Sequence, residues 1–193
     1  MPLRPNQLGA ALQQSLQGIY LISGDETLLV QEACDAVLQK AREQGFTERS
    51  IHHVETGFKW HDVTHDAASM SLFAERKVLD LRIPAGKFDK EGGQVLRDWA
   101  DGSVGNPDTL LLIRTERLQP RQRSSAWFKA LEGAGTVVLI WPLAPRELPP
   151  WLEKRLQAKG LTLEPQALQA LAERVEGNLL AAAQEVEKLA LQN

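Results

Sequence analysis

The chain is short of the residues that carry redox and metal chemistry. Cys34 is the only cysteine among 193 residues, so no intramolecular disulfide can form and no cysteine-rich zinc site can be assembled. A reducing compartment suits such a chain. Long apolar runs are also missing: none exceeds five strictly apolar residues, Val137–Trp141 being one, and Met1-Pro2-Leu3-Arg4-Pro5 is followed by no apolar h-region. These absences speak against a membrane span and against export, and they set the expectation of a cytoplasmic protein. Charge of one sign is lacking too. With 22 Lys and Arg against 25 Asp and Glu, the net charge is -3, whereas gripping a nucleic-acid backbone unaided requires a concentrated basic field. What remains is an ordinary globular composition, 43% hydrophobic and 24% charged, without internal repeat or low-complexity segment. It suffices for one α/β core and a smaller appendage.

Helical and strand periods alternate over the first 141 residues. Leu8, Leu12 and Leu16 mark a short N-terminal helix, and Ile19-Tyr20-Leu21-Ile22 a compact apolar strand. Ser23 and Glu26 have capping-box spacing ahead of Leu29, Ala33, Val37 and Ala41, which predicts a helix running to a C-cap at Gly45. Ile51–Glu55 reads as a second strand, Trp60, Val63, Ala67 and Met70 as one helix face, and Leu79, Leu81 and Ile83 as a third strand whose other face carries Asp80 and Arg82. Val95, Leu96 and Trp99 give another helix, Leu110–Ile113 a buried strand, Ala126, Trp127, Ala130 and Leu131 a further helix, and Val137–Ile140 a fifth strand. Five strands separated by helices imply an α/β fold with a parallel sheet.

Beyond residue 141 the pattern changes. Pro142, Pro145, Pro149 and Pro150 cannot sustain a sheet, so 142–150 reads as a linker. Residues 151–193 read as three helices, on Trp151 to Leu156, Leu168 to Val175 and Leu179 to Ala190, with breaks at Gly160 and Gly177. The apolar stripe of the third helix runs almost to the last residue, which leaves room for a natural end farther on.

The strand-turn-helix at Ile19–Ala41 is where a phosphate-binding loop would sit. A working loop needs G-x-x-x-x-G-K-[ST], glycines for backbone approach, lysine for phosphate charge and a hydroxyl for magnesium. Here Gly24, Asp25, Glu26 and Thr27 are followed by Leu28-Leu29-Val30, with no second glycine and no lysine. Two carboxylates stand where polyphosphate would lie and repel it. The strand Leu110–Ile113 ends in Arg114-Thr115-Glu116 where an acidic pair for magnesium would be needed, and Glu116 alone is a weak substitute. Tight nucleotide binding is not expected, although an active NTPase with an atypical loop stays open as the alternative.

Other chemistry is thinner still. His61-Asp62-Val63-Thr64-His65 echoes a zinc-binding helix, but the acid is Asp and no third ligand is evident, and His52-His53 is no stronger, so no metal site is expected. Cys34 lies mid-helix beside Ala33, a buried and inert setting. Arg114, Arg117, Arg121 and Arg123 form the one basic cluster, readable as a solvated face or as a contact to nucleic acid or a subunit. Ser69-Met70-Ser71-Leu72-Phe73 is the most informative stretch. Met70 completes a helix face while Leu72 and Phe73 leave it, so the pair is either core in a helix-to-strand connection or an apolar surface that a partner covers.

Three segments decide between these readings by resemblance. Ala68-Ser69-Met70-Ser71-Leu72-Phe73-Ala74, Ala126-Trp127-Phe128-Lys129-Ala130-Leu131 and Glu176-Gly177-Asn178-Leu179-Leu180-Ala181 resemble the delta subunits of bacterial DNA polymerase III clamp loaders, and the similarity spans essentially all 193 residues. The resemblance implies a degenerate AAA+ architecture: a RecA-like α/β domain with a five-stranded parallel sheet at 1–141, the linker 142–150, and a three-helix lid at 151–193, without the family's C-terminal collar domain. Leu180 stands where active relatives carry a nucleotide-contacting arginine. The implied job is non-enzymatic and cofactor-free, within a complex that has DNA polymerase activity. Leu72 and Phe73 would enter an apolar pocket of the sliding clamp (the beta subunit), flanked by Met70 and Ser71, and favour an open ring. The implied partners also include the tau/gamma and delta prime subunits, with DNA met only through the assembled complex and no membrane involved. Burying the apolar pair contributes roughly 3 to 6 kcal/mol. Association costs at least about 4 kcal/mol, so neighbours such as Glu75, Arg76 and Lys77 are expected to add contacts.

Overall fold

In a computed structural model, which describes residues 1–69, 76–84, 87–175 and 177–192, the chain divides into two compact units, Met1–Trp141 and Pro142–Asn193. The first unit is built on five strands among the described residues: β1 (Ile19–Gly24), β2 (Phe46–His53), β3 (Arg76–Ile83), β4 (Thr109–Thr115) and β5 (Thr136–Ile140). All pair in parallel, in the order β2-β3-β4-β1-β5. The helices described with them are α1 (Pro5–Gln14), α2 (Thr27–Glu43), α3 (Trp60–Ala68), α4 (Lys90–Ala100), α5 (Pro120–Arg123) and α6 (Ala126–Ala134). Parallel neighbours require crossovers, and the helices of those crossovers cover the sheet.

Side chains alternate along each strand, which sorts the core into two layers. Leu79, Leu81, Ile83, Leu111, Ile113 and Leu21 meet Trp60 and Val63 of α3, Leu96 and Trp99 of α4, and Trp127, Phe128 and Leu131 of α6. The opposite face carries Tyr20, Ile22, Leu110, Leu112 and Val138, all buried, toward α1 and α2 with their buried Leu8, Leu12, Leu29, Ala33 and Val37. At the β5 edge the chain start covers the ladder: the Leu3 amide donates to Val137 O at 2.7 Å, and the Leu139 amide donates in return to Leu3 O at 3.1 Å.

Two glycines are fixed by close approach. A Cβ on Gly24 would lie 2.6 Å from Ile140 Cβ and Ile140 O, so only glycine lets β1 end beside β5. A Cβ on Gly92 in α4 would lie 2.2 Å from Cζ2 of Trp60, itself fully buried. The side chain of Asp89 caps α4 by accepting from Gly92 N at 2.7 Å, which holds the glycine there.

The structure departs from the sequence-based expectations at several places. β2 begins at Phe46 rather than Ile51, because residues 48–50 pair with β3 while lying at a half-exposed edge that shows no apolar alternation. No capping box forms at Ser23 and Glu26. Ser23 is buried in β1, where its hydroxyl donates to Glu116 O at 2.9 Å, and Glu26 precedes α2 without a side-chain cap. α2 stops at Glu43, and Gly45 takes the left-handed conformation at φ 88°.

The second unit holds α7 (Leu148–Ala158), α8 (Pro165–Val175) and α9 (Leu179–Leu191). Leu148, Leu152, Leu156, Ala172, Val175, Leu179, Ala182 and Val186 form its buried side. Part of the stretch read as a linker is helical: Pro145–Glu147 make a 3-10 turn, and Pro149 and Pro150 sit in the first turn of α7, where missing N–H groups cost nothing. Asn178 caps α9 by accepting from Ala181 N at 2.9 Å. Among the described residues no helix is long and apolar enough to cross a membrane.

Gly92→Ala should destabilise the first unit by about 1–3 kcal/mol despite alanine's better helix propensity, because the buried Trp60 ring has nowhere to move. Urea denaturation monitored by tryptophan fluorescence measures it, and an unchanged midpoint would contradict the packing.

Candidate functional site

A parallel sheet has two unlike edges, and each carries one of the segments singled out in the sequence. At the edge where strands end, β1 passes through Asp25 and Glu26 into α2. Asp25 is already engaged, since its Oδ1 accepts from the backbone N–H of Arg117 at 3.1 Å. Ser23 binds the same segment, its Oγ accepting from Leu118 N at 3.2 Å. The turn is thus tied to the chain that follows β4.

Beside this turn lies an open cleft of about 300 Å³, lined by Gly24, Thr27 and Val30 with the ends of the neighbouring strands, among them His53, Glu55, Arg82, Arg114, Thr115 and Glu116. Its position, outside the carboxyl ends of the strands, is where α/β sheets take ligands. Its charges are of both signs. Arg114 is spent on Asp80, donating from Nε to Oδ1 at 3.1 Å and from Nη2 to Oδ2 at 3.0 Å. Glu55 and Glu116 line the same cleft as its second arginine, Arg82, whose Nη2 is itself 3.9 Å from Asp80. Among the described residues no lysine lines the cleft.

Asp80 is the floor of this arrangement. It is fully buried on the α2 side of β3 and is bound from β2 as well, by Arg49 Nε at 3.2 Å. The polar face read for the third strand is therefore a buried ion-pair network. Arg114 belongs to it and not to an exposed basic cluster; Arg117 and Arg123 instead stack over the half-exposed Trp141, at 4.6 and 5.5 Å. Cys34 packs nearby at no measurable exposure, and burial pushes its thiol up to about 11, which makes it inert at neutral pH.

The opposite edge, where strands begin, holds the flanks of the Ser69–Phe73 stretch. Met70, Ser71, Leu72 and Phe73 lie outside the described residues, as do Ala74 and Glu75. Ser69 is the C-cap of α3 and Arg76 opens β3. Arg76 is held by Asp108 Oδ1 at 3.2 Å and by Gln44 O at 3.0 Å. Lys77 is 5% exposed, and its ammonium donates to Asp66 Oδ1 at 3.0 Å, Ser69 O at 2.9 Å, Ser69 Oγ at 3.1 Å and the Asp66 carbonyl. His52 completes the group, 2.8 Å from Asp66 Oδ2. Burial works against ionising Asp66, but hydrogen bonds from His52, Lys77 and Ser50 outweigh it and hold the carboxyl below its ordinary 3.8. Lys77 is consequently unable to reach a partner, contrary to the expectation that it adds contacts beside Leu72 and Phe73.

The remaining candidates are dispersed. His61 and His65 stack at 6.2 Å on the exposed side of α3, and no group of three His, Cys, Asp or Glu that could hold a metal occurs among the described residues. Leu180, the second residue of α9, is 55% exposed. The sequence reading missed the Asp66–Lys77–His52 and Asp80–Arg49–Arg114 groups. Asp80 in an otherwise apolar alternation was the one available signal for the latter.

Two family models match the chain. One, described as DNA polymerase III, delta subunit, covers residues 20–140, and one described as a middle domain covers 144–193. DNA polymerase III subunit delta of Escherichia coli is 35% identical over 189 residues, covering 98% of this chain and 54% of that one. Its counterpart from Haemophilus influenzae is 31% identical over 190 residues, with 97% and 54% covered. The chain thus spans about half the length of the curated relatives it matches. Among solved structures, the DNA clamp loader delta protein of Bacillus subtilis shares the fold with a TM-score of 0.73 at 21% identity, covering 97% of this chain and 57% of that one. A RuvB variant from Thermotoga maritima reaches a TM-score of 0.50 at 17% identity, with 94% and 57% covered.

Two measurements follow from the ion pairs. Asp80→Ala leaves Arg49, Arg82 and Arg114 without their buried partner and should cost about 3–5 kcal/mol in urea denaturation, whereas Asp80→Leu combined with Arg114→Leu, which leaves only the more exposed Arg49 and Arg82 to turn to solvent, should recover most of that loss. For Asp66 the folded value lies below the unfolded one, so its contribution is complete above about pH 4 and disappears as pH falls through the folded value. The stability difference between the wild type and Asp66→Asn should accordingly hold from about pH 6 to pH 4 and shrink below that, and a constant difference down to about pH 2 would contradict the linkage.

Proposed function

Because the chain belongs to the family of DNA polymerase III delta subunits, we propose that it acts in a clamp loader, binding the sliding clamp through Leu72 and Phe73 and favouring the open ring without hydrolysing ATP itself. Met70 and Ser71 flank the apolar pair. In this reading 1–141 is a degenerate AAA+ domain, 142–150 joins it to the next element, and 151–193 is a lid.

The observation that carries the proposal is the anchoring of the connection between α3 and β3. Its flanks, Ser69 and Arg76, are both pinned at the edge where strands begin, so the chain on either side of residues 70–75 is held at fixed points. A segment holding a leucine and a phenylalanine on such a base is suited to a shallow apolar pocket, with binding energy concentrated on two side chains. Favouring an open ring requires tighter binding to that form than to the closed one.

The 24–27 turn supports the non-enzymatic half of the reading. It has no lysine, Asp25 is occupied by Arg117 N, and the adjoining cleft offsets its arginines with Asp80, Glu55 and Glu116. The beta-subunit ring, the tau/gamma subunits and the delta prime subunit are the proposed partners, with DNA engaged through the assembled complex, in the cytoplasm and with no cofactor of its own.

Leu72→Ala with Phe73→Ala should weaken ring binding by about a hundredfold or more while leaving the melting temperature unchanged, as loss of two hot-spot side chains requires. Surface plasmon resonance on immobilised ring reads the affinity, and undiminished binding would refute the docking role. In the same preparation a fluorescent ATP analogue should show no saturable, magnesium-dependent binding; saturation would favour the alternative of an NTPase with an atypical loop.

A further inference from the structure

We propose that Lys77 is a positioning residue for clamp binding, its ammonium fastening the end of α3 to the start of β3 so that the connection between them is presented from a fixed base. The inference rests on the reading that Leu72 and Phe73 dock on the ring. It concerns a residue that itself cannot touch a partner, being 5% exposed.

Three features single Lys77 out. Its position is unusual, because lysine is almost never buried unless paired, and a lysine second in a strand would ordinarily extend into water. Its bonding is concentrated on one target: its four acceptors among the described residues belong to Asp66 and Ser69, the last turn and C-cap of α3, two of them backbone carbonyls and two side-chain oxygens. A cation there also meets the negative end of the helix dipole. The support beneath it is itself braced. Asp66 is held from β2 by His52, Ala67 O accepts from Asn106 Nδ2 at 3.4 Å, and the Lys77 amide donates to Asp108 O at 2.9 Å.

Core packing alone does not demand this arrangement. Trp60, Val63 and Ala67 already seat α3 against the sheet, and an apolar side chain at position 77 would fill the same space. What only the ammonium supplies is a fixed relation between Ser69 and the first residues of β3. A segment leaving from a loosened base adopts its binding-competent form a smaller fraction of the time, and the apparent affinity falls by that fraction.

The test compares Lys77→Met with wild type in ring affinity, thermal melting and amide hydrogen exchange, using the full chain and the intact ring, with Leu72→Ala/Phe73→Ala as reference. Lys77→Met should bind the ring about tenfold more weakly, exchange amides at 70–75 faster, and leave protection in β4 at the wild-type level. Adding Lys77→Met to the double variant should cause no further loss. Should Lys77→Met fail to fold, Lys77→Gln, which retains an amide donor, takes its place with an expected loss of about threefold. If the reference variant loses binding while the Lys77 variant stays within twofold of wild type, the positioning role is overturned and the docking role stands. If the reference variant binds normally, the docking role fails and this inference with it. Weakened binding with equally faster exchange in β4 would mark Lys77 as a general stabiliser and overturn its positioning role.

Discussion

The parallel ladder with β1 between β4 and β5 is the constraint on which the rest of this molecule depends. Every strand must be re-entered from the same direction, so every connection crosses the full length of the sheet and the covering helices bury both faces. The close contact of Gly24 with Ile140 marks how tightly β1 is enclosed. From that enclosure follow the apolar composition of β1 and β4, the two layers of core, and the gathering of all strand ends on one side and all strand starts on the other.

Polar groups inside such a sheet have to satisfy one another. Asp80 and Lys77 lie only three residues apart on β3, and each solves this by a different geometry. Asp80 draws arginines from the strands on both sides, so its network runs across the sheet. Lys77 reaches out of the sheet to the end of a helix, so its network joins two layers. Removing the Asp80 charge without its arginines leaves desolvated groups unpaired, which is more costly than never having placed them there.

Much of the architecture was legible in the sequence because apolar spacing is imposed by the core. Leu29, Ala33, Val37 and Ala41 lie on one buried face as the repeat of four requires, and the alternation of Leu79, Leu81 and Ile83 gives the correct face of β3. Where a residue's role depends on distant neighbours, local pattern misleads. Ser23 has the spacing of a helix cap, yet the ladder takes it into β1 and bonds it to Glu116, 93 positions away. Residues 47–50 lack strand-like alternation because an edge strand is covered incompletely, and Pro149 and Pro150 punctuate a loop as readily as they open a helix. Arg76 and Lys77 read as added contacts beside Leu72 and Phe73, although Asp108 and Gln44 engage the first and Asp66 and Ser69 the second within the fold. The family resemblance was needed to propose a role for Leu72 and Phe73, since their spacing alone fits a core connection at least as well as a surface.

The two edges of the first unit are separated by the length of a strand, roughly 26 Å for the eight residues of β3. Residues near the 24–27 turn and residues near Ser69 and Arg76 therefore share no side-chain neighbours, and substitutions at one edge add to those at the other with little coupling. For a lineage of such proteins this means that mutational histories at the two edges are separable: one edge can change while the other is conserved or refined, with neither change limiting the other.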